Sequence, residues 1–176
     1  MLAFAYDAAL RREELCGLRA DDIDPSQRTL RVRAETTKGR RDRVVPYSAT
    51  SGTLLQQYLL HRRTLSRSRG LLFLSESRRN YAEPVSIWSW SKTVLEIARR
   101  AAVPRFTTHT LRHLCLTDLA RAGWDIHEIA AFAGHRSVQT TLLYIHLSGR
   151  DLSRKLAVGM AHIHARRVAM LTEGNV

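Results

Sequence analysis

The sequence predicts a mainly α-helical fold of the α+β class, in which helices surround a small three-stranded antiparallel β-sheet. From Ser86 onward, apolar residues recur at helical spacing. Before that point, residues 29–33 and 43–46 form two short runs rich in β-branched side chains, and residues 71–74 form a third apolar run. The 176 residues are enough for one compact domain with its own core, so we assign residues 1–176 to one domain.

The first predicted element is a helix over residues 2–19 with a break near Ala9. The acidic stretch at 21–25 ends in proline and favours turns, so it ends this helix. The runs at 29–33 and 43–46 are expected to pair as a β-hairpin, with Lys38 in the polar, exposed tip between them. A helix over 49–64, a basic serine-rich loop at 62–70 and the third strand at 71–74 follow.

The rest of the chain is predicted to be almost entirely helical, over residues 86–102, 108–122, 125–133, 137–146 and 150–171. The first four of these helices begin at residues suited to N-capping, namely Ser86, Thr108, Asp125 and Ser137. The helix at 108–122 should bury a stripe formed by Leu111, Leu114, Cys115 and Leu119. The last helix is amphipathic, with a stripe formed by Leu152, Leu156, Met160 and Ile163.

The chain is strongly basic, with a formal net charge of +12, a pI near 10.9 and 25 arginines against 3 lysines. Such a charge favours a polyanionic partner, and nucleic acid is the first candidate. Cys16 and Cys115 have no metal-ligand spacing and are expected to be reduced core thiols. No secretory signal opens the sequence and no apolar run reaches the length of a membrane span, so we expect a soluble cytoplasmic protein.

Two pairs of residues suggest a site for phosphate. His109 and Arg112 are three residues apart on the helix at 108–122, so they are neighbours on a face different from its core stripe. Arg11 lies in a stripe that is otherwise apolar and must be paired, either with Glu14 or with a bound phosphate that shares it. The alternative for both pairs is structural: a solvated polar face for the first and a simple ion pair for the second.

Lys38 and Tyr144 are candidates of a different kind, because each can exchange a proton. Lysine can give up its proton and arginine effectively cannot, so a proton-donating step would require lysine in this arginine-rich chain. Tyr144 lies off the stripe predicted to be buried in its helix, which consists of Val138, Thr141, Leu142 and Ile145. A solvated turn lysine and a surface tyrosine are the corresponding structural alternatives.

The order of these residues resembles the motifs of the tyrosine recombinase, or phage integrase, family over residues 2–147. The first arginine motif is similar to the segment at 6–24 with Arg11 and Glu14, and the lysine-bearing hairpin to the segment at 37–46. The His-x-x-Arg box is similar to His109-Thr-Leu-Arg112, and the closing motif to Gly134-His135 with Tyr144 nine residues later. The sequence departs from the family at Ala8-Ala9, where Thr-Gly is usual.

The resemblance implies a cleavage of DNA strands without metal or other cofactor. Tyr144 would attack the phosphate to form a 3′-phosphotyrosyl link, Lys38 would protonate the leaving 5′-oxygen, and His109 would assist proton transfer. Charge in the transition state would be stabilised by Arg11, Arg112 and His135, with Glu14 orienting Arg11. The cationic cluster should also favour the phenolate form of the nucleophile.

The resemblance also implies partners and a setting. We expect the chain to bind double-stranded DNA as a bacterial or phage protein associated with the nucleoid, to be monomeric in free solution and to assemble as a synaptic tetramer on DNA. The helix over 149–171 is expected either to dock on a neighbouring protomer or to pack on its own domain. The DNA-clamping N-terminal domain of the family is expected to be absent from this chain.

Three other functions fit the same sequence features. The first is a truncated remnant that binds DNA without turnover, and the second is a type IB topoisomerase that relaxes supercoils at any site. The third is a module that only binds DNA. Covalent trapping on DNA would separate an enzyme from the remnant and the module, and relaxation of any plasmid would favour the topoisomerase.

Overall fold

A computed structural model describes residues 1–37, 41–142 and 149–173, with side chains omitted at 149–155 and 171–173. The chain divides into two units, residues 1–144 and 145–176. The helices are α1 (Leu2–Asp7), α2 (Arg12–Cys16), α3 (Ala49–Leu65), α4 (Ile87–Arg100), α5 (Thr108–Arg121), α6 (Ile126–Ala133), α7 (Gln139–Leu142) and α8 (Gly149–Glu173). The strands are β1 (Ile23–Asp24), β2 (Thr29–Val32) and β3 (Arg43–Pro46), which confirms the predicted fold class.

The break predicted near Ala9 is present and separates α1 from α2. Ala9 has a φ of 46°, a left-handed conformation that costs an L-residue on the order of 1–2 kcal/mol. Ala9 is also fully buried, so packing around it fixes this conformation. The helix predicted to reach residue 19 instead ends at Cys16, and a short 3₁₀ turn, Ala20–Asp22, leads into the sheet.

The sheet has the order β1-β2-β3, and both pairings are antiparallel. Leu30 pairs with Val45 in the hairpin, and both side chains are buried beneath it. Val44 points the other way and is 66% exposed, so the sheet covers the core with one face only.

The identity of the third strand differs from the prediction. Residues 71–74 do not join the sheet: Leu71 bridges Arg19, Leu74 bridges Pro84, and the third strand is Ile23–Asp24. Leu72, Phe73 and Leu74 of this run are buried, but its backbone pairs with two different segments rather than with one strand. The apolar side chains of this segment therefore lie in the core, whereas the partners of its backbone are set by the tertiary structure.

The loop before this run is held by Arg62, which is only 5% exposed. Its guanidinium donates to the carbonyl oxygens of Leu72 at 2.8 Å, Leu71 at 2.8 Å and Ser68 at 2.9 Å. Three carbonyls thus satisfy a buried cation, and the basic loop at 62–70 is fixed against α3.

The helices of the second half begin close to the predicted residues. Ser86 accepts a hydrogen bond from Ser89 N at 3.1 Å, and Asp125 accepts from Glu128 N at 2.9 Å, as N-caps do. Helix α5 has Thr107 rather than Thr108 at its N-cap position. Ser137 accepts from Gln139 N at 3.2 Å, and the described part of the predicted helix at 137–146 is α7.

The described residues of unit 1 form two core clusters. The larger one joins α1, α2, the sheet, α3 and α4, and includes Phe4, Leu15, Leu30, Leu72 and Val94. The smaller one lies between the Ala9 break, α5 and α6, and consists of Ala9, Cys115, Leu116, Ile129 and Ala133.

The predicted stripe of α5 was wrong at one position, since Leu114 is 44% exposed and Leu116 is buried. The stripe predicted around Tyr144 was wrong at Leu142, which is 48% exposed.

Unit 2 contains helix α8, whose described side chains from Leu156 to Met170 are largely exposed. Of its predicted apolar stripe, Leu156 is 65% exposed, Ile163 is 42% exposed and Met160 is half-buried. Among the helices that the structure describes, none is both long enough and apolar enough to span a bilayer.

Candidate active site

The site begins at the N-terminus of α2, where a buried carboxylate lies between two guanidinium groups. Glu14 is 1% exposed. Arg11 Nη1 donates to Glu14 Oε1 at 3.0 Å, and Arg11 N donates to Oε2 at 2.9 Å. Arg43, from β3, donates Nη1 to Oε1 at 2.9 Å and Nη2 to Oε2 at 2.8 Å. The predicted pairing of Arg11 with Glu14 is therefore present, and a second arginine shares it.

The two arginines keep Glu14 ionised. Burial alone would raise the pKa of this carboxyl, but the hydrogen bonds and charge of Arg43, followed by those of Arg11, hold the pKa below its usual value. Two cations and one anion leave this triad with a net positive charge. An excess of positive charge beside a buried carboxylate suits the binding of a further anion.

Arg112 occupies a position that the sequence did not predict. It is 2% exposed, not on an open face of α5. Its Nη1 donates to Ala9 O at 2.5 Å and its Nη2 to Ala133 O at 2.6 Å. The guanidinium therefore links the break between α1 and α2 to the end of α6. Both acceptor carbonyls belong to fully buried residues, so these hydrogen bonds lie inside the protein.

His135 follows directly on a left-handed turn at the end of α6. Gly134 has a φ of 65°, which glycine adopts without strain, and its N–H donates to Ala131 O at 3.1 Å. His135 Nδ1 lies 2.8 Å from the hydroxyl of Thr141 on α7, and Thr141 is fully buried. The turn sets the position of the ring and the threonine sets its orientation.

The electrostatic surroundings of His135 keep it neutral. Burial, and then the charges of Arg112, Arg11 and Arg43, lower its pKa to about 4. All three arginines therefore act on the same imidazole. A neutral imidazole beside several cations can donate one hydrogen bond to an anion without adding charge.

His109 lies one turn before Arg112 and is more exposed. Its ring packs edge to face against His113, with centroids 4.9 Å apart. Burial lowers its pKa, and the charges of His113, Arg112 and Arg11 lower it further. The neutral form, which can accept a proton, is therefore favoured at neutral pH.

The hairpin reaches the same region. Thr37 is nearly buried, its hydroxyl accepts from Arg41 N at 3.1 Å, and this bond closes the base of the tip. A cavity of about 190 Å³ is lined by both flanks of the tip and by the turn at the end of α6, including Thr37, Arg41, Gly134 and His135. Two predicted site residues, Lys38 and Tyr144, lie outside the described residues.

Four of the six residues predicted to be catalytic are described and lie in one neighbourhood with an excess of positive charge: Arg11, His109, Arg112 and His135. Sequence reasoning missed Arg43 and Thr141 as parts of the site. Arg43 was assigned only to a strand, although an arginine on the same strand face as buried Val45 signals a buried partner. Thr141 was assigned to the buried stripe of its helix, and a buried hydroxyl requires a hydrogen-bond partner.

The described donors suit a phosphate group better than a metal ion. Among the side chains that the structure describes, no three His, Cys, Asp or Glu residues lie close enough to hold a metal. The described side chains are guanidinium and imidazole groups, which bind and polarise phosphate oxygens through charge-assisted hydrogen bonds.

Comparison with known proteins points to one family. The pattern of the Phage integrase family matches residues 1–150. Tyrosine recombinase XerC 2 of Ralstonia nicotianae is 34% identical over 84% of this chain and 42% of its own length. Transposase A from transposon Tn554 of Staphylococcus aureus is 30% identical over 88% of this chain and 45% of its own length. The chain therefore spans about half the length of the curated relatives it matches.

Solved structures show the same fold. The crystal structure of XerA recombinase superposes with a TM-score of 0.74 and 28% identity, over 89% of this chain and 56% of that one. The Tn1549 transposon integrase, solved in complex with transposon right end DNA, superposes with a TM-score of 0.73 over the same shares. Its identity of 19% supports a common fold alone.

Proposed function

Because the chain belongs to the phage integrase family of tyrosine recombinases, we propose that it cleaves and rejoins DNA strands at specific sites through a covalent 3′-phosphotyrosyl intermediate. The observation that carries the proposal is the convergence of Arg11, Arg112 and His135 with the flanks of the hairpin tip. These groups come from sequence positions that together span more than a hundred residues. His135 lines the small cavity between the hairpin flanks and the end of α6, and Arg11 and Arg112 are close enough to lower its pKa. Together these groups offer the donors that a phosphodiester requires.

In this mechanism, the cationic groups bind the non-bridging oxygens of the scissile phosphate. Arg11 and Arg112 supply charge, and His135 supplies a neutral hydrogen-bond donor. In the tautomer in which Thr141 donates to Nδ1, the proton of the ring is on Nε2, from which it can be donated to phosphate. The three groups stabilise the charge that develops in the transition state.

The bond changes balance without an external energy source. Tyr144 Oη forms a bond to phosphorus as the bond to the 5′-oxygen breaks. His109 accepts the phenol proton, and Lys38 donates a proton to the 5′-oxygen. The lowered pKa of His109, caused by burial and then by the charge of His113, supports its role as a base. Attack of a 5′-hydroxyl on the phosphotyrosine reverses these steps and rejoins a strand.

We propose double-stranded DNA as the partner, with several copies of the chain assembled on it as a synaptic tetramer and monomers in free solution. The exposed apolar side chains of α8, such as Leu156 and Ile163, support docking of this helix on a second copy. Replacing both with serine should leave the chain folded and abolish higher-order complexes on DNA. Sedimentation of the protein–DNA complex, with the exposed Arg166→Ser variant as control, measures this.

The test of the proposed chemistry is covalent capture on a pool of nicked duplexes of random sequence. Attack near the nick releases a short fragment, so rejoining cannot occur and the protein remains attached to DNA. Denaturing gels detect the adduct, and sequencing of the captured DNA reports its site. We expect capture with an enriched sequence, and no capture by Tyr144→Phe with binding retained.

The other outcomes identify the alternatives. Capture without sequence enrichment, together with relaxation of any supercoiled plasmid, would indicate a topoisomerase. Binding without capture would indicate a DNA-binding remnant or module. Capture that persists in Tyr144→Phe would show that another residue is the nucleophile.

A further inference from the structure

Arg43 and Arg11 compete for the same carboxylate. Both oxygens of Glu14 accept from Arg43, at 2.9 and 2.8 Å, in the two-pronged geometry that guanidinium and carboxylate groups prefer. Arg11 makes one side-chain bond, from Nη1 to Glu14 Oε1. Because Arg43 holds the carboxylate edge, Arg11 cannot form the two-pronged pair itself.

As a result of this competition, Arg11 retains N–H groups that can donate hydrogen bonds to other acceptors. Its side chain is 25% exposed. Within the part of the chain that the structure describes, Arg11 Nε and Nη2 donate no hydrogen bond to protein. Arg43, by contrast, is enclosed: its side chain is 12% exposed, and its Nε donates to Phe132 O at 3.3 Å.

We propose that Arg43 is a positioning residue, which occupies Glu14 so that Arg11 remains available to the scissile phosphate. The proposal deepens the proposed function and rests on it. Without Arg43, the ionised Glu14 would draw Arg11 into a two-pronged pair, and the donors of Arg11 would turn away from the phosphate. Glu14 therefore has two opposite effects on Arg11, orienting it when Arg43 is present and sequestering it when Arg43 is absent.

The same guanidinium also connects the hairpin with the turn that carries His135. Arg43 contacts Phe132 O through Nε, and its Nη1 lies 2.9 Å from the position that a Cβ atom on Gly134 would take. Arg43 thus lies between Glu14 on one side and the His135 turn on the other.

The proposal predicts that removing the charge of Glu14 compensates for the loss of Arg43. The probe is inorganic phosphate, and the readout is the Nε–H resonance of Arg11 in ¹⁵N NMR spectra of the whole chain. In the unsubstituted protein, phosphate should shift this resonance. In Arg43→Met the apparent affinity should fall by about tenfold or more, and in Arg43→Met/Glu14→Gln it should return to within about threefold of the starting value.

The matched control is Arg31→Met, which removes one positive charge from the same sheet at an exposed position paired with Asp42. It should change phosphate affinity by less than about threefold. A loss in Arg31→Met equal to that in Arg43→Met would show that net charge alone explains the effect, and would overturn the proposal. Failure of the double variant to recover, while its spectrum shows a folded protein, would also overturn it.

A further comparison applies if Arg43→Met does not fold. Glu14→Gln alone and the double variant should then bind phosphate equally, because Arg43 acts on Arg11 only through the charge of Glu14. A difference of more than about threefold between them contradicts the proposal. The assay does not depend on strand cleavage. A phosphate response at Arg11 without covalent capture would refute the proposed chemistry and leave this inference standing, whereas no response in the unsubstituted protein would refute both.

Discussion

The guanidinium of Arg43 lies against the backbone of Gly134, so closely that a Cβ atom there would stand 2.9 Å from Nη1 and 3.0 Å from Cδ. Gly134 also has a φ of 65°. Two separate constraints therefore require glycine at this position, one conformational and one steric.

Gly134→Ala should lower the free energy of unfolding by about 2 kcal/mol or more, from left-handed strain together with displacement of Arg43. Gly123→Ala is the matched control, because Gly123 has a φ of 95° with no atom within 4 Å of its Cβ position. It should lose only the conformational part, about 1 kcal/mol. Urea unfolding of both variants measures the difference, and equal losses would show that Arg43 yields without cost.

Arg112→Met should destabilise the fold by about 3 kcal/mol, because two buried carbonyl oxygens lose their donor. The exposed Arg99, which pairs with Glu96, offers a control of the same chemistry. Arg99→Met should change stability by less than about 0.5 kcal/mol. Thermal or urea unfolding would decide this, and a small loss in Arg112→Met would mean that water replaces the guanidinium.

Stability should fall as the pH is lowered from about 6.5 toward 4, because His135 resists protonation in the folded state. Burial, and then the charge of Arg112, lower its pKa to about 4, whereas an unfolded histidine has a pKa near 6.5. Between these values the unfolded chain takes up a proton that the folded chain does not, so acid favours unfolding. His109 contributes with the same sign, since its pKa is also lowered by burial.

His135→Gln should flatten this dependence between pH 5 and 6.5, a window in which carboxylates such as Glu14 remain ionised. Urea unfolding at several pH values measures the slope, and NMR titration of the ring measures the pKa directly. A His135 ring that titrates near its ordinary pKa would contradict the described environment.

Thr141→Val should free the imidazole of His135 while preserving the volume of the buried side chain. If the proposed chemistry is correct, covalent capture should slow on the order of tenfold, equivalent to about 1.4 kcal/mol of lost positioning. Thr140→Val, at the exposed neighbouring position, should capture DNA at the original rate. Equal rates in the two variants would show that the Thr141 hydroxyl does not orient the ring.

Much of the fold followed from local patterns in the sequence. Helix α3 and the hairpin strands were predicted within a residue or two because periodicity and β-branched runs report local preference. The segment at 71–74 was wrongly assigned to the sheet, because an apolar run indicates burial and does not identify the backbone partners of the segment. Those partners are distant in sequence: the carbonyl of Leu18, for example, accepts a hydrogen bond from Leu72 N at 2.7 Å.

The site was predicted as a set of residue types and less completely as an arrangement. Arg11 with Glu14 could be inferred because partners three residues apart on a helix are local. The burial of Arg112 could not be inferred, because its acceptors are the backbone carbonyls of Ala9 and Ala133. Every residue carries such a carbonyl, so the sequence does not indicate which of them accepts a hydrogen bond. Arg43 was missed for the same reason, because its partner Glu14 is 29 residues away.

The enclosed Arg62 has a practical consequence for handling the protein. Its charge is matched by carbonyl dipoles inside the molecule, where dissolved ions do not reach, so concentrated salt should not weaken that part of the framework. Binding to a polyanion depends instead on exposed basic side chains, and its affinity falls steeply as ionic strength rises. Washing in concentrated sodium chloride should therefore strip co-purifying nucleic acid from the chain and leave it natively folded.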